Sequence, residues 1–158
     1  MKKYDVVIIG FGPTGGTLAN LLALHGFSIL IVEKEKSFYP LPRAVHFDDE
    51  IMRVFQTIGI TDKFLKNTII NKGTKFVNSK NKVVLDWPRP RVITENGWYP
   101  SYRFNQPDLE RKLRSRLKDF KKVFIMQNTK VISLKEDKDS VKIFLEDVNN
   151  KTIKVETS

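Results

Sequence analysis

Three glycines near the N-terminus have the spacing of a phosphate-binding turn. Gly10, Gly12 and Gly15 form the pattern G-x-G-x-x-G directly after the apolar run Val6 to Ile9. In this pattern the first glycine allows a tight turn, the second lets backbone amides approach a pyrophosphate, and the third lets a helix pack closely against a sheet. The N-terminus of that helix would offer free N–H groups and a positive dipole end to the anion. The residues predicted to bind the pyrophosphate are Gly10, Gly12, Pro13, Thr14 and Gly15.

An acidic residue at the end of the next predicted strand indicates which nucleotide is bound. Glu33 lies 23 positions after Gly10, and the acid that bonds ribose hydroxyls in such sites follows at a spacing of roughly 20 residues. A carboxylate there repels a 2′-phosphate, so we expect an adenosine diphosphate group with a free ribose, as in FAD or NAD. The alternative is a glycine turn in an α/β protein that binds no nucleotide. The register of strand, helix and Glu33 disfavours that alternative.

The turn requires a strand before it and a helix after it, and the sequence predicts both. Val6 to Ile9 is a run of four β-branched residues, which is typical of a central strand buried on both faces. From Thr14 onward apolar residues recur at steps of three and four, and Gly26 is a natural residue to end the helix. Ile29 to Val32 follows as a second strand. These elements predict a βαβ unit with parallel strands and hence an α/β, Rossmann-like fold.

Two more helices and another parallel strand are expected further along the chain. The acidic residues 48–50 suit the first turn of a helix that ends at Gly59. Pro107 suits the start of a third helix. Its predicted apolar stripe consists of Leu109, Leu113, Leu117 and Phe120. Val123 to Met126 is predicted to return to the parallel sheet.

The remaining segments predict antiparallel structure. Short strands are expected at Lys75 to Val77 and Val83 to Asp86, within a region of long connections between Thr74 and Arg103. This pattern indicates an inserted second layer. The last part of the chain alternates apolar and polar residues and predicts a β-meander. Its strands are expected at Val131 to Leu134, Val141 to Leu145 and Ile153 to Val155.

Composition limits the classes of protein that the chain could represent. Its 158 residues are 41% apolar and carry a formal net charge of +10, so one domain with a real core is expected rather than a disordered or fibrous chain. Cysteine is absent and the only histidines are His25 and His46, which argues against disulfides and metal sites. The apolar N-terminal run is broken by glycines, so it does not resemble a signal peptide. No segment has the roughly 18 consecutive apolar residues of a membrane span. A soluble cytoplasmic protein is expected.

Four segments of the sequence resemble one known family. They are Asp5 to Glu33, Pro42 to His46 with Asp48 to Glu50, Leu85 to Pro88, and Arg103 to Glu110. The chain is similar to the N-terminal FAD-binding part of the class A flavoprotein aromatic hydroxylases, and most similar to the 3-(3-hydroxyphenyl)propionate hydroxylase and phenol hydroxylase types. The resemblance implies bound FAD, reduction by NAD(P)H, and hydroxylation of a phenolic substrate with O₂.

The resemblance also implies four further contacts with FAD. Arg43 matches an arginine that reaches the pyrophosphate and ribitol region, and a guanidinium suits a diphosphate. Gln106 matches a glutamine on the ribitol side of the flavin. Lys34 lies near the adenosine ribose, and the backbone of Val131 near the adenine. The alternatives are that Arg43 and Lys34 are surface cations and that Gln106 caps a helix. His46 is expected to be a loop or core residue.

The chain also departs from the family that it resembles. Those enzymes are several hundred residues long, and they contain a later Asp-Gly motif and a Gly-Asp motif that holds the ribityl chain, neither of which is present here. We therefore expect residues 1–158 to be an incomplete N-terminal FAD-binding domain, with about 70–104 in the substrate-domain layer. No catalytic side chain is assigned. The alternative is a non-catalytic fragment that needs a separate C-terminal partner chain.

Seven basic residues between Arg111 and Lys122 raise a rival hypothesis of nucleic-acid binding. The apolar stripe on the same helix already explains its periodicity. Asp108, Glu110 and Asp119 interrupt the basic character. We therefore expect a solvated helix face and no nucleic-acid partner.

Overall fold

The computed structural model describes residues 2–157, which form four helices and twelve strands. The helices are α1 (Pro13–Leu24), α2 (Asp49–Ile58), α3 (Thr61–Leu65) and α4 (Gln106–Leu117). The strands are β1 (Lys2–Tyr4), β2 (Val6–Ile9), β3 (Ile29–Val32), β4 (His46–Phe47), β5 (Thr68–Ile70), β6 (Gly73–Val77), β7 (Val83–Pro88), β8 (Tyr102–Phe104), β9 (Val123–Met126), β10 (Lys130–Glu136), β11 (Val141–Glu146) and β12 (Thr152–Thr157). They belong to two compact units. The first comprises the residues up to Leu41 and from Glu110 onward, and the second comprises Pro42–Leu109.

The first unit contains the predicted βαβ element. Strands β2, β3 and β9 form a parallel sheet in the order β2-β3-β9, and α1 connects β2 to β3. Gly26 follows the helix with a φ of 79°, a left-handed conformation that glycine adopts without steric cost. The α/β fold with a parallel core is therefore confirmed, and the predicted bounds of β2, β3 and β9 match the structure.

The prediction that β2 is a central strand was wrong for the described residues. β3 is the central strand, and all four of its side chains are buried. β2 pairs only with β3 and lies at an edge of the sheet, where Ile9 is 56% exposed. A run of β-branched residues predicts an extended backbone, but burial depends on how many neighbours a strand has. The four residues of a strand do not specify how many strands pair with it.

The predicted β-meander packs against one face of the parallel sheet. β10, β11 and β12 are consecutive antiparallel neighbours. Leu30 and Val32 of the parallel sheet share a buried cluster with Ile143, Leu145 and Val155 of the meander. β1 adds to this second sheet in parallel with β12. The sequence does not predict β1, because its residues are Lys, Lys and Tyr and lack an apolar alternation.

Helices α1 and α4 lie on the opposite face of the parallel sheet. Ile8, Ile29 and Ile31 from the sheet cluster with Ala19 of α1 and Leu117 of α4. The predicted stripe on α4 is correct for Leu109, Leu113 and Leu117, which are each at most 3% exposed. Phe120 lies beyond the end of the helix, where it is partly buried against the same cluster. Within residues 2–157, none of the helices combines the length and apolar character that crossing a membrane would require.

A buried asparagine joins the two helices. Asn20 is fully buried, and its Nδ2 donates hydrogen bonds to the carbonyl oxygens of Gly16 (2.8 Å) and Leu113 (3.0 Å). Its two N–H donors therefore satisfy one carbonyl on each helix. A side chain without a hydrogen-bond donor at this position would leave both carbonyl oxygens without this hydrogen bond.

We predict that Asn20→Asp will be strongly destabilising. The substitution replaces the two donated hydrogen bonds with a buried carboxylate that faces two carbonyl oxygens, at a cost on the order of 3 kcal/mol or more. Urea denaturation of wild type and variant measures this cost. Asn149→Asp, at an exposed turn position, makes the same change as a control. Equal stabilities of the two variants would contradict this account of Asn20.

The second unit is organised around an aromatic cluster. β4, β8 and β5 form an antiparallel sheet in that order. The Phe47 ring lies 5.3 Å from Tyr102, 5.4 Å from Phe55 and 5.8 Å from Phe64, measured between ring centroids. These residues belong to β4, β8, α2 and α3, so the cluster joins all four elements. The sequence predicts none of α3, β4, β5 and β8.

The second helix has the ends that the sequence predicts. The Asp48 side chain accepts a hydrogen bond from the backbone N–H of Ile51 at 3.0 Å and caps α2. Gly59 ends the helix in the left-handed region with a φ of 81°. An acidic first turn and a C-terminal glycine were the two predicted signals.

The predicted strands near residues 75 and 83 form a hairpin. β6 and β7 pair antiparallel with each other, and β7 extends to Pro88, two residues beyond its predicted end. Its apolar side chains are largely exposed, including Val84 at 71% and Trp87 at 51%. The assignment of residues 70–104 to a substrate-domain layer stays a prediction.

The carboxylate of Asp49 in α2 accepts hydrogen bonds from the segment Thr94 to Trp98. Asp49 Oδ2 accepts hydrogen bonds from the Thr94 hydroxyl (2.6 Å) and from Asn96 Nδ2 (2.8 Å). The hydrogen bond from Thr94 has the larger effect and that from Asn96 the smaller, and both lower the pKa of Asp49 below its usual value. The ionised form is therefore stabilised in the folded state.

This shift predicts a pH dependence of stability. Because the folded pKa is depressed, the contribution of Asp49 is fully present above the unfolded pKa of about 3.9 and is lost as pH falls through the folded value. The melting temperature of wild type should exceed that of Asp49→Asn at about pH 6, and the gap should narrow below about pH 4. Asp62→Asn, an exposed change in the same unit, controls for net charge. A gap that is constant with pH would contradict the assignment.

Candidate dinucleotide-binding site

The glycine-rich turn, residues 10–15, forms a tight connection between β2 and α1. Gly10 has a φ of 104°, and its N–H donates to the carbonyl oxygen of Val32 at 2.8 Å. Gly12 occupies the N-cap of α1 and supplies no side-chain hydrogen bond, and Pro13 is the first helical residue. The N-terminus of the helix is therefore left without a side-chain cap. That arrangement suits an anion that would bind the first N–H groups.

Gly12 and Gly15 fulfil different requirements of the turn. A Cβ atom at Gly15 would lie 2.1 Å from the carbonyl oxygen of Gly10, so only glycine allows the helix to approach the strand this closely. A Cβ atom at Gly12 would have no protein atom within 4 Å. The internal packing of the chain therefore does not explain the glycine at position 12. The close approach of a ligand would explain it.

Glu33 contacts the turn directly. Its Oε2 accepts a hydrogen bond from the Phe11 N–H at 2.7 Å, and its Oε1 accepts one from the Glu35 N–H at 2.9 Å. Each carboxylate oxygen has a second lone pair for a further donor. The sequence predicts Glu33 beside a ribose. The structure adds that Glu33 holds the backbone of the turn.

Phe11 of the turn and Arg114 of α4 make a contact that the sequence does not predict. The Arg114 guanidinium donates from Nη2 to the Phe11 carbonyl oxygen at 2.7 Å, and its Cζ lies 4.0 Å from the centroid of the Phe11 ring. The basic helix was predicted to present a solvated face. That prediction was wrong for Arg114, whose side chain is only 16% exposed. The available signal was an aromatic residue within the glycine pattern, which requires a partner for its buried ring.

A cavity of about 490 Å³ lies beside the turn. Its volume falls in the range of roughly 300–1,000 Å³ that is typical of small-molecule sites. Leu18 and the four residues of β2 line it together with the turn. The turn residues in its lining are Gly10, Gly12, Pro13, Thr14 and Gly15. The structure therefore brings all five predicted pyrophosphate-binding residues to one cavity.

Two other predicted residues lie in the same unit with different surroundings. The Glu33 carbonyl accepts a hydrogen bond from the Thr129 N–H at 3.0 Å, which brings the start of β10, including Val131, near the end of β3. Lys34 is exposed, and its Nζ lies 3.9 Å from Glu35 Oε1. An exposed ion pair of this kind contributes about 0–1 kcal/mol. The roles of Val131 and Lys34 in binding FAD stay predictions.

In the second unit Gln106 and Arg43 are linked through the backbone. Gln106 Oε1 accepts hydrogen bonds from the N–H groups of Arg43 (3.1 Å) and Ala44 (2.8 Å), and the Gln106 residue is 3% exposed. Gln106 therefore holds the loop that carries Arg43. The expected contact of each side chain with FAD is untested.

His46 has a partner that the sequence does not reveal. Its Nε2 lies 2.7 Å from the hydroxyl of Ser101, which is buried and also accepts from Asn71 Nδ2 at 2.9 Å. Asn71 Oδ1 in turn accepts from Arg103 Nε at 3.2 Å. The chain of hydrogen bonds joins β4 to β8. His46 lies in a strand and is exposed, so the expectation of a loop or core residue was wrong.

The glycine-rich turn with Glu33 is the local structure that a dinucleotide-binding family would require, and a family comparison agrees with it. A family profile described as "FAD binding domain" matches residues 3–157. The chain belongs to this FAD-binding family. The resemblance expected from the sequence is thereby confirmed, as is FAD as the cofactor.

Curated proteins that are similar to this chain include two hydroxylases. The chain is 38% identical over 152 residues to a probable NADH-specific resorcinol 4-hydroxylase of Rhodococcus jostii, with 93% of this chain and 28% of the relative covered. It is 36% identical over 136 residues to a 3-(3-hydroxy-phenyl)propionate/3-hydroxycinnamic acid hydroxylase of Burkholderia vietnamiensis, covering 86% and 24%. The chain therefore spans about a quarter of the length of these relatives.

Solved structures share the fold at lower sequence identity. The p-nitrophenol 4-monooxygenase PnpA of Pseudomonas putida superposes with a TM-score of 0.87 at 21% identity, covering 99% of this chain and 40% of that one. The flavin-dependent monooxygenase PieE, in a complex with FAD and substrate, gives a TM-score of 0.85 at 19% identity and covers 98% and 29%. These similarities establish the α/β fold of the FAD-binding family for this chain.

Proposed function

We propose that this chain is the N-terminal part of an FAD-dependent hydroxylase that acts on a phenolic ring with NAD(P)H and O₂. The glycine-rich turn and Glu33, held together by the 2.7 Å hydrogen bond from the Phe11 N–H, are the observation that carries the proposal. The relatives with phenolic substrates support the substrate class, and the NADH-specific relative supports a nicotinamide reductant. We place the protein in the cytoplasm, where that reductant is available.

The residues of the turn fit a dinucleotide diphosphate. Gly12 leaves open space where a side chain would stand, and no side chain caps α1 at this end among residues 2–157. In our proposal the first N–H groups of α1 bind the pyrophosphate, and Glu33 accepts hydrogen bonds from the adenosine ribose. Lys34 and the Val131 backbone lie toward the adenosine in this assignment.

Arg43 and Gln106 are assigned to the same cofactor by resemblance. A guanidinium binds a diphosphate with two parallel hydrogen bonds, which favours Arg43 for the pyrophosphate. Gln106 fixes the Arg43 backbone, so it would preserve the position of that loop in addition to any contact of its own. Bound FAD would supply the redox chemistry, passing two electrons from the nicotinamide to O₂ so that one oxygen atom enters the phenol and the other is released as water.

The alternative proposal is a non-catalytic FAD-binding fragment that requires a separate C-terminal partner. The exposed apolar side chains of the hairpin β6-β7 and of Ile9 are the observation that favours it, because large exposed apolar surface marks an interaction site. Residues 70–104 would then provide part of the substrate-domain layer. Both proposals include FAD binding. They differ in whether these residues belong to a hydroxylase or to a fragment that needs a separate partner chain.

Titration with FAD tests the proposal that both alternatives share. We expect the purified chain to quench flavin fluorescence and to retain a yellow colour after gel filtration. Because Glu33 is assigned to the adenosine half, FMN should bind much more weakly than FAD. Failure to bind FAD in either assay would contradict the proposed site.

A turnover assay tests whether this chain hydroxylates a phenol by itself. We predict that the isolated chain with FAD, NADH or NADPH, and a panel of phenols will form no hydroxylated product, because a reactive flavin must be enclosed away from water and β2 and the hairpin leave apolar surface exposed. The assay quantifies hydroxylated phenol separately from hydrogen peroxide. Product formed in proportion to oxidised NAD(P)H would contradict the fragment proposal.

A further inference from the structure

Arg114 donates a hydrogen bond to the backbone of the glycine-rich turn. Its Nη2 lies 2.7 Å from the carbonyl oxygen of Phe11, the residue between Gly10 and Gly12. We propose that Arg114 is a positioning residue for the diphosphate of the bound nucleotide, and that it acts by fixing the direction of the Gly12 N–H. The proposal rests on the proposed function, because it assumes that the turn binds a diphosphate.

The geometry of one peptide unit connects Arg114 to the Gly12 N–H. The Phe11 carbonyl and the Gly12 N–H belong to the same peptide unit, and no peptide bond among residues 2–157 is cis. In a planar trans peptide the C=O and the N–H point in opposite directions. Since the carbonyl points to Arg114, the Gly12 N–H points away from Arg114 and from α4. Gly12 is also the position at which the glycine pattern predicts a backbone amide beside the pyrophosphate.

The turn needs an external restraint at this peptide. Gly12 has no side chain, and a Cβ atom there would have no protein atom within 4 Å, so no side-chain packing restricts it. Its carbonyl oxygen accepts from the Gly16 N–H at 2.8 Å, but that hydrogen bond does not involve the peptide unit between Phe11 and Gly12. Glycine also has the widest choice of backbone conformations. A flexible amide must be ordered when the ligand binds, and that ordering reduces affinity. The structure restrains both sides of Phe11: Glu33 accepts from its N–H and Arg114 donates to its carbonyl.

Arg114 is itself held in one orientation. Its Cζ lies 4.0 Å from the centroid of the Phe11 ring, and its Nη2 lies 3.6 Å from Glu110 Oε2. The Glu110 side chain is only 4% exposed. A planar guanidinium stacks on a ring while donating in its own plane, which a lysine ammonium does not reproduce. The position therefore favours arginine over lysine.

Stability alone explains this buried cation poorly. Arg114 Nε is buried and has no hydrogen-bond partner among the described residues. Burial of an incompletely paired charged group costs free energy. A purely structural role would weaken every ligand alike when Arg114 is replaced. A positioning role would weaken the ligands that carry a diphosphate, because only they reach the Gly12 amide.

The experiment compares ADP, FAD and adenosine as probes. In Arg114→Met we expect Kd for ADP and FAD to rise about tenfold, the loss of one charge-assisted hydrogen bond, and Kd for adenosine to change less than about twofold. NMR titration measures ADP and adenosine, and flavin fluorescence measures FAD. Lys112→Met makes the same charge change on the same helix and should leave all three affinities unaltered.

A second variant keeps the test decisive if Arg114→Met does not fold. Arg114→Lys retains the charge but not the planar group that stacks on Phe11. We expect Kd for ADP to rise about threefold and Kd for adenosine to stay nearly unchanged. Unchanged ADP affinity in a folded variant, or equal losses for ADP and adenosine, would overturn the proposal. If wild type binds neither ADP nor FAD, the proposed function fails instead. The outcomes for the two proposals are therefore distinct.

Discussion

Gly12→Val should abolish FAD binding while leaving the domain folded. The valine side chain would enter space that holds no protein atom within 4 Å of its Cβ, so it should not disturb the core. It would occupy the place where the turn is expected to meet the pyrophosphate. We expect Kd for FAD to rise at least about a hundredfold, which corresponds to a loss of about 2.7 kcal/mol or more.

Fluorescence titration and thermal melting measure the two halves of this prediction. The melting temperature of Gly12→Val should stay close to that of wild type. Gly15→Ala provides the contrast, since its Cβ would lie 2.1 Å from the Gly10 carbonyl oxygen and should destabilise the fold itself. FAD affinity that is unchanged in Gly12→Val would show that the pyrophosphate does not lie beside this residue.

The glycine pattern and the strands beside it show which features a short stretch of sequence can specify. The pattern G-x-G-x-x-G predicted the turn. Two apolar runs predicted the flanking strands with the bounds observed, Val6–Ile9 and Ile29–Val32. These features depend on local backbone geometry and on the period of apolar residues. Both can be read within about ten residues.

Other features depend on contacts between residues that are distant in sequence. Arg114 reaches Phe11 across 103 positions, and in the sequence it is one of seven cations on a helix. Its burial follows from the rotation of α4 against the sheet, which the positions of the cations do not specify. The edge position of β2 has the same origin, since it depends on which strands pair with it.

The predicted site residues stay predictions, and the structure adds protein contacts that the sequence does not specify. Gln106 is predicted to contact FAD, and the structure shows in addition that its side-chain oxygen accepts hydrogen bonds from the N–H groups of Arg43 and Ala44. Backbone partners of this kind have no sequence signature, because every residue except proline has an N–H group. The sequence could therefore identify Gln106 as notable without indicating the loop that it holds.

Glu33→Ala should weaken FAD binding more than the loss of ribose contacts alone would predict. The carboxylate is assigned to the ribose and also accepts the Phe11 N–H at 2.7 Å. Loss of a hydrogen bond to a charged group costs about 1.5–3 kcal/mol, and a released Phe11 N–H adds to it. We therefore expect Kd for FAD to rise by on the order of a hundredfold, with a lower melting temperature.

Glu33→Gln separates the two tasks of this side chain. The amide oxygen can still accept from the Phe11 N–H, so the turn should keep its shape. The amide NH₂ group cannot accept from the Glu35 N–H as the second carboxylate oxygen does, so the melting temperature should recover only in part. The amide NH₂ group cannot accept a ribose hydroxyl, so FAD affinity should recover only in part. Glu35→Gln removes the same charge two residues away, at an exposed side chain paired only loosely with Lys34, and should bind FAD like wild type. Two results would contradict the contact between Glu33 and the adenosine half. One is an equal loss of FAD affinity in Glu33→Ala and Glu35→Gln, and the other is wild type that binds FMN as tightly as FAD. Either result would limit the contribution of Glu33 to the turn.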